Sequence, residues 1–463
     1  MTAYNSKSQL VGAGMSRSIP TFAFLPRKTG DPAKTPVYQM VFSWLVFWPL
    51  LTLAARRTVY FGGPPADVLS FKYGFSSTGR DHLTVYVTLL YLASFIFVGY
   101  RQIWSVLREN PLIPCCLVYA AASAMWSAAP QISLQMWVAV CLCSLFACYL
   151  SERLTPERLM NLLIFVGTIA AVLSILFALF LPRYGISWDD GSHPWRGIAN
   201  QKNEFGMCMA FLLTPIFFTN HHRSSLRISY AILLSFLVFM SKSRGAWLVT
   251  AGVFLFVGWL ALYRRLKSQE SYLLIAITVA FCVVAVAIGF TFLDPLTRLM
   301  GKDPSLTGRT GIYTEVFKAI LKHPFIGYGF GTFWIGANPE STRIGLSVNF
   351  PTIGYAENGV LELALQLGAV GVGLVLTIIA KALLQAIRLI RSPLYNPRVG
   401  WYATILILEL LTNIDAGWLM VPHTLDWVLT LIACIGLASE MRHARQPAES
   451  DFDSVAIEQL DYK

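Results

Sequence analysis

Arg196, Lys202, Lys242, Arg244 and Arg309 each lie beside Gly, Ser or Asn instead of plain apolar sequence. A guanidinium grips phosphate oxygens through two parallel N–H donors, so several of these cations at one interface would make an anion site the size of a pyrophosphate. Left in hydrocarbon, each Lys or Arg would cost about 2.5–3.5 kcal/mol on insertion scales, so each needs protein, water or an anion beside it. The other account of them is that they snorkel to headgroups or mark the ends of spans.

The carboxylate with the most chemical promise is Glu357, which opens an apolar block and is followed by Asn358 and Gly359. Partly desolvated there, it would have a raised pKa suited to taking a proton from a sugar hydroxyl; equally, it is a carboxylate favoured by the dipole at a helix start. His323 precedes Pro324 and reads as a histidine that orders its loop, with His193 and His423 on the same side of the chain. Glu409 and Asp415 lie in one apolar block, as transport carboxylates or paired with an arginine of a neighbouring helix. Gly327, Gly329 and Gly331 alternate without the strand–loop–helix setting of a nucleotide fingerprint, so they read as backbone turns. The eight cysteines fall inside or beside apolar blocks and read as small hydrophobes. They form neither a disulfide framework nor a metal site, and no cofactor is implied.

The elements that must position these residues belong to a bilayer. Of 463 residues, 55% are hydrophobic and 13% charged, and the mean hydropathy is +0.56. Soluble domains carry roughly a quarter charged residues. Apolar blocks fall at 38–55, 83–100, 111–126, 132–150, 160–181, 205–219, 227–241, 246–263, 272–293, 356–386, 400–418 and 425–438. Their lengths suggest an all-α polytopic membrane protein with about 12 transmembrane helices (roughly 10–13). The net charge of +11 accompanies these blocks as topology signals, and no nucleic-acid-binding signature is present.

Residues 1–37 are polar and basic, with no cleavable signal peptide, and read as a cytoplasmic tail. Residues 38–440 then form a single transmembrane domain and 441–463 a cytoplasmic C-terminal tail. With the N-terminus inside, alternate loops are basic, loop 56–82 being the exception. The basic clusters and the connection 294–355 then fall outside, in the extracytoplasmic space. Within that connection, 310–322 has Ile312, Val316, Phe317, Ile320 and Leu321 at helical spacing, a one-faced amphipathic helix that would lie on the membrane.

Taken in order, these clusters resemble the O-antigen ligase/polymerase superfamily of bacterial inner-membrane proteins, most closely its exopolysaccharide-polymerising members. The residues carrying the resemblance are Trp126-Ser127, Arg196-Gly197 with Lys202-Asn203 and Gly206, Ser243-Arg244, Thr307-Gly308-Arg309, His323-Pro324 through Gly331, and Glu357-Asn358-Gly359 with Glu362 and Leu367-Gly368. The resemblance spans about 120 to 380 and is most specific over 305–371. It implies inverting, metal-independent glycosyl transfer outside the membrane, with an undecaprenyl-pyrophosphate-linked oligosaccharide as donor and other polysaccharide assembly proteins as partners. Arg196, Lys202, Arg244 and Arg309 would hold the pyrophosphate, Arg244 and Arg309 stabilising it as it leaves. Glu357 would be the base, and Asn203, Asn358, His323 and Tyr328 would support them. Where the family commonly has His before the Asn, this chain has Glu357. The implied activity is a polysaccharide polymerase, with a ligase acting on lipid A core or protein as the alternative; a transporter or flippase is the rival from another class.

Overall fold

The computed structural model describes residues 100–460, apart from 188–192, 200, 220–222, 267–268, 271, 275–277, 279–308, 336–337, 349–352, 418 and 422–423. The described residues are helical, with one isolated bridge between Ile186 and Trp195. After a helical stretch over 100–109 come α1 (Leu112–Ala122), α2 (Pro130–Arg153), α3 (Pro156–Phe180) and the short α4 (Pro182–Gly185). Next are α5 (Lys202–Leu213), α6 (Ser224–Met240), α7 (Arg244–Tyr263), α8 (Arg309–Lys322) and α9 (Pro339–Ser347). The last three are α10 (Gly359–Arg391), α11 (Pro397–Asp415) and α12 (Leu425–Leu460).

Local chemistry sets where many of these helices begin. Thr155 caps α3 by accepting from the Arg158 amide, with Pro156 in the first position. Ser243 caps α7 through Ala246 N–H, Asn338 caps α9 ahead of Pro339, and Asn396 caps α11 ahead of Pro397. Asn358 caps α10 by accepting from both Val360 and Leu361. A short oxygen-bearing side chain satisfies an orphan N–H, and proline loses nothing where no intrahelical donor is needed.

Four of the helices are long and apolar enough to cross a membrane: α2, α3, α7 and α10. Each buries only part of its surface, α7 as little as 28% of its most apolar window, and leaves large apolar side chains such as Phe165, Leu179, Leu248, Leu255 and Leu384 exposed. Apolar surface on that scale needs hydrocarbon against it. This is a multi-pass membrane protein. At its centre lies the first half of α12, where Leu425–Ala438 are buried, packed with α11 against α2, α5, α7 and α10.

The expectation of about 12 spans (roughly 10–13) is not met: among the described residues, four helices qualify. The block at 38–55, all but the last residue of 83–100 and most of 272–293 lie outside the described residues. Blocks 111–126 and 205–219 break into α1 and α5, of 11 and 12 residues, each followed by a 3-10 turn. Block 227–241 becomes the 17-residue α6. At 1.5 Å per residue, helices of these lengths reach about 16–26 Å, short of a hydrocarbon core of about 30 Å. Blocks 400–418 and 425–438 belong to α11 and α12, whose apolar runs carry Glu409 and Asp426 and are buried by neighbouring helices. A run of apolar residues signals burial, and inside a bundle protein supplies it.

The expected extracytoplasmic loop with its membrane-lying helix is also corrected. A helix forms over Arg309–Lys322, but its Val316 and Ala319 are buried in a second core with Phe333, Trp334, Ile344, Ile353, Ala356 and Leu365. The described part of 294–355 is thus a packed unit seated on the head of α10. Lys318 and Arg343 bind Glu315, and Lys322 and Arg343 bind Glu340, tying α8 to α9. These partners hold both carboxyls below the ordinary carboxylate range.

Candidate active site

The glycine-rich stretch 324–331 runs along the first turns of α10, joined to it by backbone hydrogen bonds. Tyr328 N–H donates to the Leu365 carbonyl at 2.8 Å and Gly329 N–H to Gln366 at 2.9 Å, while Ala369 N–H donates to Pro324 at 2.8 Å. Such pairing needs a helix whose carbonyls turn outward, and Gly368 supplies it with φ +62° inside α10. A Cβ there would meet the Phe325 carbonyl carbon at 2.2 Å. Gly327, Gly329 and Gly331 also take positive φ, the region glycine enters without penalty, which bears out the reading of backbone turns. From the other side, Trp126 Nε1 donates to the Ile326 carbonyl, the Ser123 hydroxyl accepts from Phe330 N–H, and Ser127 pairs with Thr332.

Beneath this loop Glu362, 2% exposed, accepts three hydrogen bonds. Trp334 Nε1 and Ala356 N–H reach Oε2, each at 2.9 Å, and Gln366 Nε2 reaches Oε1 at 2.7 Å. The carboxylate thus joins Trp334, just past the glycine-rich stretch, to the segment before α10 and to α10 itself. Just before α10, Glu357 adopts φ +56°, costly for a residue with a side chain, and its carbonyl accepts from Tyr313 of α8 at 3.1 Å. Asn358 caps α10 and also donates to the Ile414 carbonyl at the end of α11, at 3.4 Å. His323 packs edge-on against Tyr328 with ring centroids 4.5 Å apart, and the Tyr328 hydroxyl donates to Ala319 of α8. Burial, with the negative charge of Glu340, pushes that phenol up to about 12.

A second grouping joins the two basic clusters earlier in the chain. Trp195 N–H donates to the Met240 carbonyl at 2.9 Å, and Gly206 lies so close to Ser241 and Ala246 that a Cβ would clash with both. Arg196 turns its guanidinium onto the carbonyls of Tyr184 and Arg183, at 2.8 and 3.0 Å, and so orders the turn after α4. Lys202 is the first residue of α5, with Asn203 next to it, and Arg244, exposed, is the first residue of α7. Lys242 between them takes φ +51°. Arg309 is the first residue of α8; its side chain lies outside the described residues.

The last turn of α11 links the two groupings. Leu411 touches Gly252 of α7, Thr412 donates to the Met207 sulfur of α5 at 3.9 Å, and Asn413 abuts Gly359 at the head of α10. The heads of α5, α7 and α10 therefore open at one end of the bundle, and Tyr313 ties the first turns of α8 to the same place. Helix N-termini carry partial positive charge, which disfavours basic residues there and favours an anion. Lys202, Arg244 and Arg309 nonetheless occupy three first positions.

Sequence reasoning missed Glu362, Gln366, Trp334 and Asn413 as site-building residues. Glu362 and Gln366, one turn apart on an otherwise apolar helix face, were the signal available for the first two. Among the described residues Glu409 pairs with no arginine: it is fully buried and accepts from Asn413 Nδ2 at 3.0 Å. The Asp415 side chain and His423 lie outside the described residues, and His193 is exposed. Among the described residues, no three His, Cys, Asp or Glu side chains gather as metal ligands.

Comparison with known proteins follows the same region. The O-antigen ligase family matches residues 229–376, from α6 through the first half of α10. The chain is also 24% identical over 320 residues to the exopolysaccharide production protein ExoQ of Rhizobium meliloti (strain 1021), covering 65% of this chain and 71% of that protein. The protein is a distant relative of the O-antigen ligase family and of ExoQ.

Proposed function

We propose that this protein is a polysaccharide polymerase of the bacterial inner membrane that joins polyprenyl-pyrophosphate-linked repeat units on the periplasmic face. One observation carries the reading: basic residues stand at the first positions of α5, α7 and α8, whose heads gather with that of α10. The helix dipoles disfavour a cation at those positions and favour an anion beside it, and a lipid pyrophosphate brings such an anion to the membrane surface. Arg196, Lys202, Arg244 and Arg309 hold the diphosphate, and Arg244 and Arg309 stabilise the charge that develops on it. The acceptor hydroxyl attacks the anomeric carbon opposite the diphosphate. The new glycosidic bond forms as the old C–O bond breaks, and its electron pair leaves on the polyprenyl pyrophosphate. Glu357 takes the hydroxyl proton, while Asn203, Asn358, His323 and Tyr328 support the site. Residues 38–440 form a single transmembrane domain, and the tails 1–37 and 441–463 are cytoplasmic.

ExoQ, by its name a protein of exopolysaccharide production, supports the polymerase reading. The description of the matching family favours a second one, a ligase that moves finished glycan to another acceptor. Purified full-length protein given a single lipid-linked repeat unit separates them. Polymerase lengthens the repeat with no second substrate, and the Arg309→Ala variant does not. Failure of the wild type to lengthen it, with transfer to a separate acceptor, would overturn the polymerase reading.

A further inference from the structure

The C-terminal ends of α7 and α10, helices that both pack on α11, are crossed by two arginines. Arg264, just past the last turn of α7, donates to the Ile390 carbonyl at 2.7 Å and to the Ser392 carbonyl at 3.4 Å, and its guanidinium covers the Tyr395 ring at 4.5 Å. In return Arg391, the last residue of α10, donates to the Tyr263 hydroxyl at 3.2 Å and faces the Tyr272 ring at 5.5 Å. These braces tie the two helix ends together. They leave two further arginines, Arg265 and Arg388, exposed and without a side-chain partner among the described residues.

Each of the two stands at the tip of an apolar stripe. On α7 the exposed Leu248, Leu255 and Leu262 recur every seven residues, and Arg265 follows Leu262 by three, which keeps it on that face. On α10 Leu384 and Ile387 are exposed, and Arg388 follows Leu384 by four. Such apolar surface meets hydrocarbon, so each guanidinium lies where an acyl chain gives way to its headgroup, with water or an anion as its neighbour. The helix dipoles account for cations at these C-terminal ends; the stripes decide what those cations meet. A free phosphate would use the guanidinium alone, whereas a phospholipid uses stripe and guanidinium together.

The charge balance selects the headgroup. No Asp or Glu lies between Glu204 and Glu270, nor between Glu362 and Glu409. The ammonium of a zwitterionic lipid would therefore sit among arginines, with Glu270 in the turn beyond α7 as the nearest carboxyl in sequence. An anionic headgroup meets no such repulsion. We infer that Arg265 and Arg388 bind anionic phospholipid, the phosphate on the guanidinium groups and the acyl chains along the exposed leucines.

The experiment delipidates the full-length protein in neutral detergent and titrates it with phosphatidylglycerol or with phosphatidylcholine of the same chains, bound lipid being counted by native mass spectrometry. Phosphatidylglycerol should be held more tightly, and the Arg265→Ala, Arg388→Ala double variant should hold it about 30-fold less tightly than the wild type. Arg101→Ala with Arg445→Ala removes the same charge from exposed positions elsewhere and should bind as the wild type does. Equal affinity for the two lipids would overturn the inference, as would unchanged binding by the first double variant or an equal loss in the second. Displacement of the lipid by millimolar inorganic phosphate would also overturn it, since the site would then be one for free anions. Should the first double variant not accumulate, phosphatidylglycerol with a photoreactive acyl chain decides on the wild type: it labels the last turns of α7 or α10, or the site does not exist. Glycan transfer is not read, so this inference and the proposed function stand or fall separately.

Discussion

The two ends of the helical bundle are built on opposite terms. At the end away from the candidate site, the basic groups that brace the bundle meet partners. Arg398 bonds Glu157 at 2.6 Å and lies 3.7 Å from Glu440, Arg442 bonds Glu109, and Arg264 donates to the Ile390 carbonyl while covering the Tyr395 ring at 4.5 Å. At the candidate end, Arg196 and the α8–α9 cations also meet partners, but Lys202, Arg244 and Arg309 stand on positive helix heads, and the positive-φ positions accumulate there: Lys242, Glu357, Gly197, and the glycines of 327–331 with Gly368. One end is arranged for stability. The other retains strain and charge of a kind that ligand binding would compensate.

The sharpest way to break this contrast is to remove one arginine from each end. Arg244→Ala should cut glycan transfer by about 10²–10³-fold, as loss of a transition-state donor does, with little change in thermal stability. Arg398→Ala should do the reverse, leaving transfer intact and lowering stability by about 1 kcal/mol or less for a half-exposed pair. Equal transfer rates in the two variants would erase the distinction. Next in size is Glu362→Ala. It strands three buried donors at about 1–3 kcal/mol each, so unfolding in micelles should shift by at least about 3 kcal/mol, with Glu362→Gln milder.

Glu357→Gly tests whether strain is kept for function. It relieves about 1 kcal/mol or more of left-handed backbone strain, so the variant should be more stable, yet transfer should fall with the carboxylate gone. The smallest effect is on pH. Glu315 and Glu340 are held ionised below the usual range by Lys318, Lys322 and Arg343. Their contribution is therefore present above the ordinary carboxylate pKa and lost as pH falls through the depressed values. Proteolysis between α8 and α9 should quicken only under that acid condition, and the Arg343→Ala variant should show faster cleavage already at neutral pH.

The same contrast marks how far the sequence could be read. The helix start at Glu357-Asn358-Gly359 was legible, because a helix head is a local device with a local signature. The turns at Gly327, Gly329 and Gly331 were legible for the same reason. Span number was not, since α11 and the first half of α12 are apolar for the sake of protein neighbours, and apolarity alone does not name the neighbour. Glu362 was read only as part of a motif, because its three donors come from positions 334, 356 and 366. The bonds of Arg196 to the 183 and 184 carbonyls were not legible, since they depend on how α4 folds back.

Gly368 has a wider consequence. By turning α10 left-handed for one residue, it diverts hydrogen-bonding groups from the helix ladder to the 324–329 stretch. That stretch is spliced into the helix, its register fixed as firmly as that of a strand in a sheet. Inserting or deleting one residue there would misalign every splice contact downstream, whereas the same edit in a free connection would be absorbed. Loop and helix should therefore melt as one cooperative unit, and their amides should exchange with deuterium at a common rate.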